Sequence, residues 1–157
     1  MADSVCVELA EYRVEKARRA YMSAVENMGI GDFETANNRA YYSVFNAIRA
    51  VLALDSVDFK THSRTIGYFN LHYIKEGQFD TAFGKMIMGI SQSRNKSDYE
   101  DFYQATRQEA EANVEGAQKF LVVVEQYIAE RLKTEHSQEE VGQVTGDFDE
   151  DEESWDR

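Results

Sequence analysis

Apolar residues recur at helical spacing along most of the first 133 positions. From Val7 to Met28 they fall alternately three and four residues apart, which places them on one face of an α-helix. Gly29 supplies a helix stop, and Asp32 after a short turn can cap the next helix. Because the connection is so short, the pattern predicts a second helix antiparallel to the first.

The second predicted helix, over about 32–54, carries two stripes. The apolar stripe consists of Tyr41, Val44, Phe45, Ile48, Val51 and Leu52. The polar stripe consists of Arg39, Tyr42, Asn46 and Arg49. Two guanidiniums, an amide and a phenol on one line form either a solvated face or a polar seam against another helix or subunit.

Two shorter helices are predicted next. Thr61 can cap a helix over about 61–74, and His62 lies in its first turn, where a histidine is more often a local hydrogen-bonding group than a catalyst. A fourth helix is predicted over about 78–93. Its apolar residues are Phe79, Phe83, Met86, Ile87 and Ile90. Met88 is assigned to the core beside them as a gap filler.

A long fifth helix follows residues 91–103, which have no clean helical period. Thr106 and Glu109 form a capping box, in which each side chain accepts a hydrogen bond from the other residue's amide. The inward residues are Ala110, Val114, Ala117, Leu121, Val124 and Ile128. The helix should end near Lys133. The chain is thus predicted to be an all-α, up-and-down antiparallel bundle of about five helices over residues 1–133.

The composition agrees with a helical chain and bears on whether the protein has disulfides or engages a membrane. The 157 residues include no proline and one cysteine, Cys6, so no internal disulfide is possible. No apolar run approaches the roughly 20 residues needed to cross a bilayer, and the N-terminus shows no secretory signal. We therefore expect a single-domain cytoplasmic protein that does not engage a membrane.

The net charge of −12 is concentrated at the C-terminus. Residues 134–157 hold ten acidic side chains and one basic side chain, with few apolar residues, whereas the body is nearly balanced. Such a segment buries too little apolar surface to order itself, so a disordered acidic tail is predicted. It serves either as a solubilising tail or as an acidic mimic that covers a basic surface on this protein or a partner.

The common metal and nucleotide motifs are absent from the sequence. It contains no CxxC pair, HExxH, Walker loop or GxGxxG. The histidines His62, His72 and His136 are scattered, and no helix shows an inward Glu-x-x-His pattern. We therefore predict neither a metal site nor a cofactor.

Four stretches, taken in order, carry a family resemblance. They are residues 39–47 (RAYYSVFNA), residues 60–63 (KTHS), Arg94 with residues 97–99 (SDY), and residues 117–120 (AQKF). Together they resemble the HEPN superfamily, in particular its small prokaryotic proteins, over about 32–128. The resemblance implies a helical bundle that often dimerises and that works with nucleic acid or nucleotides. Many such proteins are metal-independent ribonucleases, and others accompany a nucleotidyltransferase as a toxin–antitoxin pair.

In the family's ribonucleases an arginine is followed four to six residues later by a histidine at the dimer interface. Arg94 matches the arginine, and Tyr99 falls at the histidine position. These two are the catalytic candidates that the resemblance implies, although a phenol is a poor general base and is better suited to hydrogen bonding or stacking on a base. Arg94 can instead form a purely structural ion pair with Asp98, four residues away.

The resemblance implies a dimer groove that binds RNA or nucleotide. Its candidate lining residues are Arg39, Tyr42, Asn46, Arg49, Arg94 and Asp98. We expect a homodimeric toxin–antitoxin-type or nucleotidyltransferase-associated protein in which the ribonuclease histidine is missing. The alternatives are an active metal-independent endoribonuclease and a protein-interaction module. The balanced charge of the body argues against a general nucleic-acid binder.

Overall fold

The computed structural model describes residues 3–145, with side chains described through residue 135. Five α-helices follow one another: α1 Ser4–Gly29, α2 Phe33–Leu54, α3 His62–Phe69, α4 Ala82–Tyr99 and α5 Arg107–Thr145. A π-helical turn, Asn70–Ile74, continues α3. No strand occurs between residues 3 and 145, and the predicted all-α, up-and-down bundle is confirmed.

The turn between α1 and α2 forms as its sequence predicts. Gly31 has φ +80°, a left-handed conformation that suits glycine. The Asp32 carboxylate then accepts a hydrogen bond from the Thr35 amide at 3.1 Å and caps α2. The two helices consequently pack against each other along their length.

Helix α2 is the centre of the bundle. Fifteen of its 22 residues are buried, because α1, α3, α4 and α5 all pack against it. The predicted inward residues of α2 and α5 are buried, and those of α1 are buried or packed against the core. Phe120 of α5 is fully buried and contacts the rings of Phe69, Phe79 and Phe83, which joins the α3 and α4 ends of the core.

The fourth helix differs from its prediction. It spans Ala82–Tyr99 instead of 78–93, so residues 94–99 are helical. The side chain of Met88 is 61% exposed, and its assignment to the core is wrong because it lies on the solvent face of α4. Met86 does pack against the core, where a Cβ on Gly116 would lie 2.7 Å from its Cγ. Glycine at position 116 therefore lets α4 approach α5 closely.

The predicted capping box of α5 is only half formed. The Thr106 hydroxyl accepts from the Glu109 amide at 3.1 Å. The Glu109 carboxylate does not turn back to residue 106; it accepts hydrogen bonds from Ser93 Oγ at 2.6 Å and from the Tyr103 hydroxyl. These hydroxyls belong to α4 and to the 100–106 connection, so the carboxylate ties that connection to the bundle.

Helix α5 extends past its predicted end at Lys133 and reaches Thr145. Arg131 Nε donates to Glu135 Oε2 at 3.1 Å across the predicted boundary, which stabilises the additional turns. The remainder of the acidic tail, residues 146–157, lies outside the described residues, so its disorder stays a prediction. Within residues 3–145, every helix is too short or too polar to cross a bilayer.

Candidate functional site

Arg94 lies against two tyrosines of α2. Its guanidinium sits over the rings of Tyr41 and Tyr42, 4.8 and 5.6 Å from the ring centroids. Its Nη2 donates to the Tyr42 hydroxyl at 3.4 Å and lies 3.7 Å from Asp98 Oδ2. The ion pair between Arg94 and Asp98 that the spacing predicts is therefore present, and cation–π contacts hold the same guanidinium on α2.

The hydrogen-bonding capacity of Arg94 is not used up by these contacts. Its Nε is buried and has no hydrogen-bond partner among the described residues. The side chain as a whole is 25% exposed. It opens into a polar pocket of about 210 Å³ that is lined by Glu34, Thr35, Asn38, Arg94, Ser97 and Asp98. Because a guanidinium can donate five hydrogen bonds, Arg94 retains donors that these contacts do not use.

His62 lies beside the same two tyrosines. It is the first residue of α3, and its Nδ1 is 2.7 Å from the Tyr41 hydroxyl. Its ring stacks on Phe45 at a centroid distance of 4.0 Å and meets the edge of Tyr42 at 5.9 Å. The structure thus brings a histidine to the arginine from a different helix and not from the stretch that follows Arg94.

The surroundings of His62 keep it neutral. Burial lowers the pKa of His62 below its ordinary value, and the nearby guanidiniums of Arg94 and Arg49 lower it further. Burial raises the pKa of Tyr41, although Arg94 opposes that shift. A neutral phenol and a neutral imidazole therefore share the hydrogen bond at pH 7. When Nδ1 carries the proton and donates it to Tyr41, Nε2 presents the lone pair of a proton acceptor.

Arg49 lines a second, larger cleft next to His62. Its Nη2 donates to Asp58 at 3.1 Å to Oδ1 and 3.3 Å to Oδ2, while its Nε is buried without a partner in residues 3–135. The cleft has a volume of about 510 Å³ and is lined by Phe45, Arg49, Asp58, Phe59, Lys60 and His62. Cationic, aromatic and acid–base side chains thus meet in one depression.

The other predicted site residues differ in their placement. The guanidinium of Arg39 lies 5.2 Å from the centroid of Tyr42, so it extends the cluster along α2. Asn46 is 9% exposed, and its Nδ2 donates to the Tyr42 carbonyl at 2.9 Å, so its amide serves its own helix. Tyr99 is 80% exposed. Since α4 is helical here, a residue five positions after Arg94 is rotated by about 140° from it and lies outside the cluster.

His62 and Tyr41 are not among the site residues predicted from the sequence, although the structure brings them together with Tyr42 and Arg94. Tyr41 fits the apolar stripe and is predicted in the core, which is correct for its ring but overlooks its hydroxyl. The KTHS stretch is the part of the sequence that could have indicated the position of His62. Thr61 caps α3, so His62 is the first residue of that helix. Among the described side chains, no group of three or more His, Cys, Asp or Glu is placed to hold a metal ion.

Comparisons with known proteins agree with this architecture. The chain is 26% identical over 126 residues to the protein named "Putative toxin MJ0605" of Methanocaldococcus jannaschii, covering 80% of this chain and 88% of that one. It is 25% identical over 121 residues to a UPF0332 protein of Thermotoga maritima, covering 77% and 92%. The crystal structure of TT1696 from Thermus thermophilus shares the fold, with a TM-score of 0.66 and 21% identity over 75% of this chain and 97% of that chain. A family model of the HEPN domain matches residues 10–127, and the chain therefore belongs to the HEPN domain family.

Proposed function

We propose that this toxin-like HEPN protein binds RNA or nucleotide through the arginine–histidine face, defined as Arg39, Tyr42, Arg49, His62 and Arg94. One observation carries the proposal: Arg49 lines a cleft with His62, Arg94 contacts the same two tyrosines as His62, and each arginine has a buried Nε without a partner in the described part of the chain. Guanidiniums in this state are suited to bind a phosphate through two hydrogen bonds each.

Aromatic rings in the face and in the adjoining cleft can hold a base of the ligand by stacking. Tyr42 is half-buried between two guanidiniums, and Phe59 lines the larger cleft. Unpaired bases of single-stranded RNA stack on such rings, and each stacked base contributes about 1–3 kcal/mol to binding. The positive charge is local, since the body as a whole is nearly neutral. The ligand that fits is therefore a nucleotide or a short single-stranded segment.

Metal-independent cleavage of RNA is a second candidate, and the position of His62 favours it. His62 Nε2 takes the proton of a ribose 2′-hydroxyl as the 2′-oxygen forms a bond to the neighbouring phosphorus. The bond from phosphorus to the 5′-oxygen breaks, the 5′-oxygen takes a proton from water, and the hydroxide that is left takes the proton back from His62. Arg94 and Arg49 stabilise the charge that develops on the phosphoryl oxygens. In this scheme His62, and not Tyr99, carries the proton.

A homodimer and a nucleotidyltransferase partner belong to the same proposal. They follow from the family resemblance, and a relative named as a toxin supports the toxin–antitoxin setting. The exposed rings of Tyr99 (80%) and Phe102 (96%) offer a surface for contact with another chain. Light scattering coupled to size exclusion should give twice the chain mass, and a monomeric mass would contradict the dimer.

Fluorescence anisotropy with a labelled single-stranded RNA in EDTA tests the binding. Arg94→Ala should weaken binding about tenfold or more, because it removes charged hydrogen bonds worth about 1.5–3 kcal/mol. Arg19→Ala is the matched control, since Arg19 is an exposed arginine on α1. Equal affinities for the two variants, or no binding by the wild type, would contradict the proposal.

A gel of the same RNA after incubation tests cleavage separately. His62→Gln should abolish cleavage and leave most of the binding intact, with circular dichroism as the check on folding. Cleavage that survives in His62→Gln would exclude His62 as the proton acceptor. If the wild type leaves the RNA intact, the ribonuclease function is excluded and RNA binding remains as the proposed function.

A further inference from the structure

We propose that Asp58 occupies a second anion subsite, built from Arg13, Arg49 and Lys60, and that a phosphate monoester of the ligand displaces it. The inference rests on the proposed function, because it assigns a ligand class to the larger cleft of the arginine–histidine face. That class is a nucleotide or an RNA end with a terminal phosphate.

The Asp58 carboxylate lies where such a phosphate would bind. Both of its oxygens accept from Arg49 Nη2, at 3.1 and 3.3 Å, and Oδ2 lies 3.5 Å from Arg13 Nη2. The Arg13 side chain is only 8% exposed, and its Nη1 donates to the Arg49 carbonyl at 3.1 Å. Arg13 is therefore held in place by α2, so its guanidinium is oriented before any ligand arrives.

This subsite holds more positive than negative charge. Two guanidiniums share one carboxylate, and Lys60 lines the cleft beside Arg49. The pKa of Arg13 is lowered by burial and by the neighbouring charge of Arg49, and Asp58 offsets these effects only in part. A phosphate monoester carries a charge of about −1.5 to −2 at pH 7, whereas an internal phosphodiester carries about −1. The monoester therefore balances this cluster better than Asp58 or a diester does.

Asp58 is also placed so that it can leave. It belongs to the non-helical connection between α2 and α3, and its side chain is 56% exposed. Apart from the arginines, the carboxylate accepts only from the amide of Phe59, at 3.1 Å, among the described residues. Its rotation into solvent would break no core contact. Phe59 stays fixed against Tyr68, with ring centroids 5.3 Å apart, and keeps one wall of the cleft.

A pair of RNA oligomers that differ only in a 5′-phosphate or 5′-hydroxyl tests this inference. Asp58→Asn should tighten binding of the phosphorylated oligomer about tenfold, because it removes a competing charged acceptor. The hydroxyl oligomer should gain less, about two- to threefold, because a backbone phosphodiester at Arg49 carries about half the charge of a terminal phosphate. Asp101→Asn makes the same change of charge at an exposed position of the 100–106 connection and is the control. The double variant Asp58→Asn/Arg49→Gln should lose the gain.

Other outcomes separate this inference from the proposed function. Equal gains for both oligomers, or equal effects of Asp58→Asn and Asp101→Asn, would overturn the subsite while Arg94-dependent binding stands. Inorganic phosphate provides a readout that needs no RNA. The ¹⁵N-detected Arg49 Nε–H signal should move on addition of phosphate, and should saturate at about tenfold lower concentration in Asp58→Asn. A signal that does not move in that variant would refute the subsite even if RNA binds.

Discussion

Replacement of Arg131 by methionine should loosen the end of the bundle that carries α3. Arg131 of α5 donates to Asp55 from Nη2 at 2.5 Å and from Nη1 at 3.2 Å. Asp55 is the C-cap of α2 and also accepts from the hydroxyl of Tyr73 in the π-helical turn. One guanidinium thus connects α5, the end of α2 and the segment that follows α3.

The magnitude follows from the number and the exposure of these bonds. A hydrogen bond to a charged group contributes about 1.5–3 kcal/mol. The side chains of Arg131 and Asp55 are 21% and 36% exposed, so water weakens their attraction and the two bonds do not add in full. Methionine keeps the aliphatic stem, and Tyr73 still donates to Asp55. We expect a loss of about 2 kcal/mol, equivalent to a fall in Tm of about 4–8 °C for a chain of this size.

Thermal unfolding followed by circular dichroism at 222 nm measures this loss. Lys119→Met is the control, because Lys119 and Glu115 form an ion pair whose side chains are 67% and 64% exposed. Such a surface pair contributes about 0–1 kcal/mol, so its loss should change Tm little. Melting of both variants within about 1 °C of the wild type would show that the contact between Arg131 and Asp55 does not stabilise the bundle.

Three other perturbations have defined outcomes. The lowered pKa of His62 means that the unfolded state binds more protons than the folded state, so wild-type stability falls as the pH drops through about 6.5. The difference in Tm between wild type and His62→Gln should therefore shrink from pH 7.5 to 5, and a constant difference would contradict the pKa shift. Phe120→Ala should cost about 3–5 kcal/mol in urea unfolding, because its ring is fully buried, whereas exposed Val122→Ala should change stability by less than about 0.5 kcal/mol. Thr106→Ala should cost about 1 kcal/mol through loss of the cap, and an unchanged urea midpoint would exclude the cap as a stabilising contact.

Local periodicity predicted most of the fold. The inward faces of α1, α2 and α5 follow from three- and four-residue spacing, since burial of an amphipathic helix is encoded within one segment. The end of α4 could not be predicted in the same way, because the contacts that stabilise it join residues far apart in the sequence. Glu109 exemplifies this: its carboxylate accepts from Ser93 Oγ of α4 instead of completing a local capping box.

The placement of the candidate site residues could be predicted in part, for the same physical reason. The residues of the polar stripe of α2 recur at helical spacing, and Arg94 and Asp98 are four residues apart on one helix. Both features could be predicted from the sequence. The place of His62 beside Arg94 depends on how α3 and α4 dock on α2, which no single segment encodes. The hydrogen bond between Tyr41 and His62 joins residues 21 positions apart, and the contact of Arg94 with Tyr42 spans 52 positions.

The salt dependence of single-stranded RNA binding shows how many arginines of the arginine–histidine face contact phosphate. The arginine–histidine face offers three guanidiniums, Arg39, Arg49 and Arg94, to phosphates. If all three contact phosphate, the logarithm of the affinity should fall with the logarithm of the salt concentration with a slope of about −2. Arg94→Ala should reduce that slope by about 0.7, and Arg19→Ala should leave it unchanged. Equal slopes for wild type and Arg94→Ala would contradict the claim that Arg94 binds the RNA backbone.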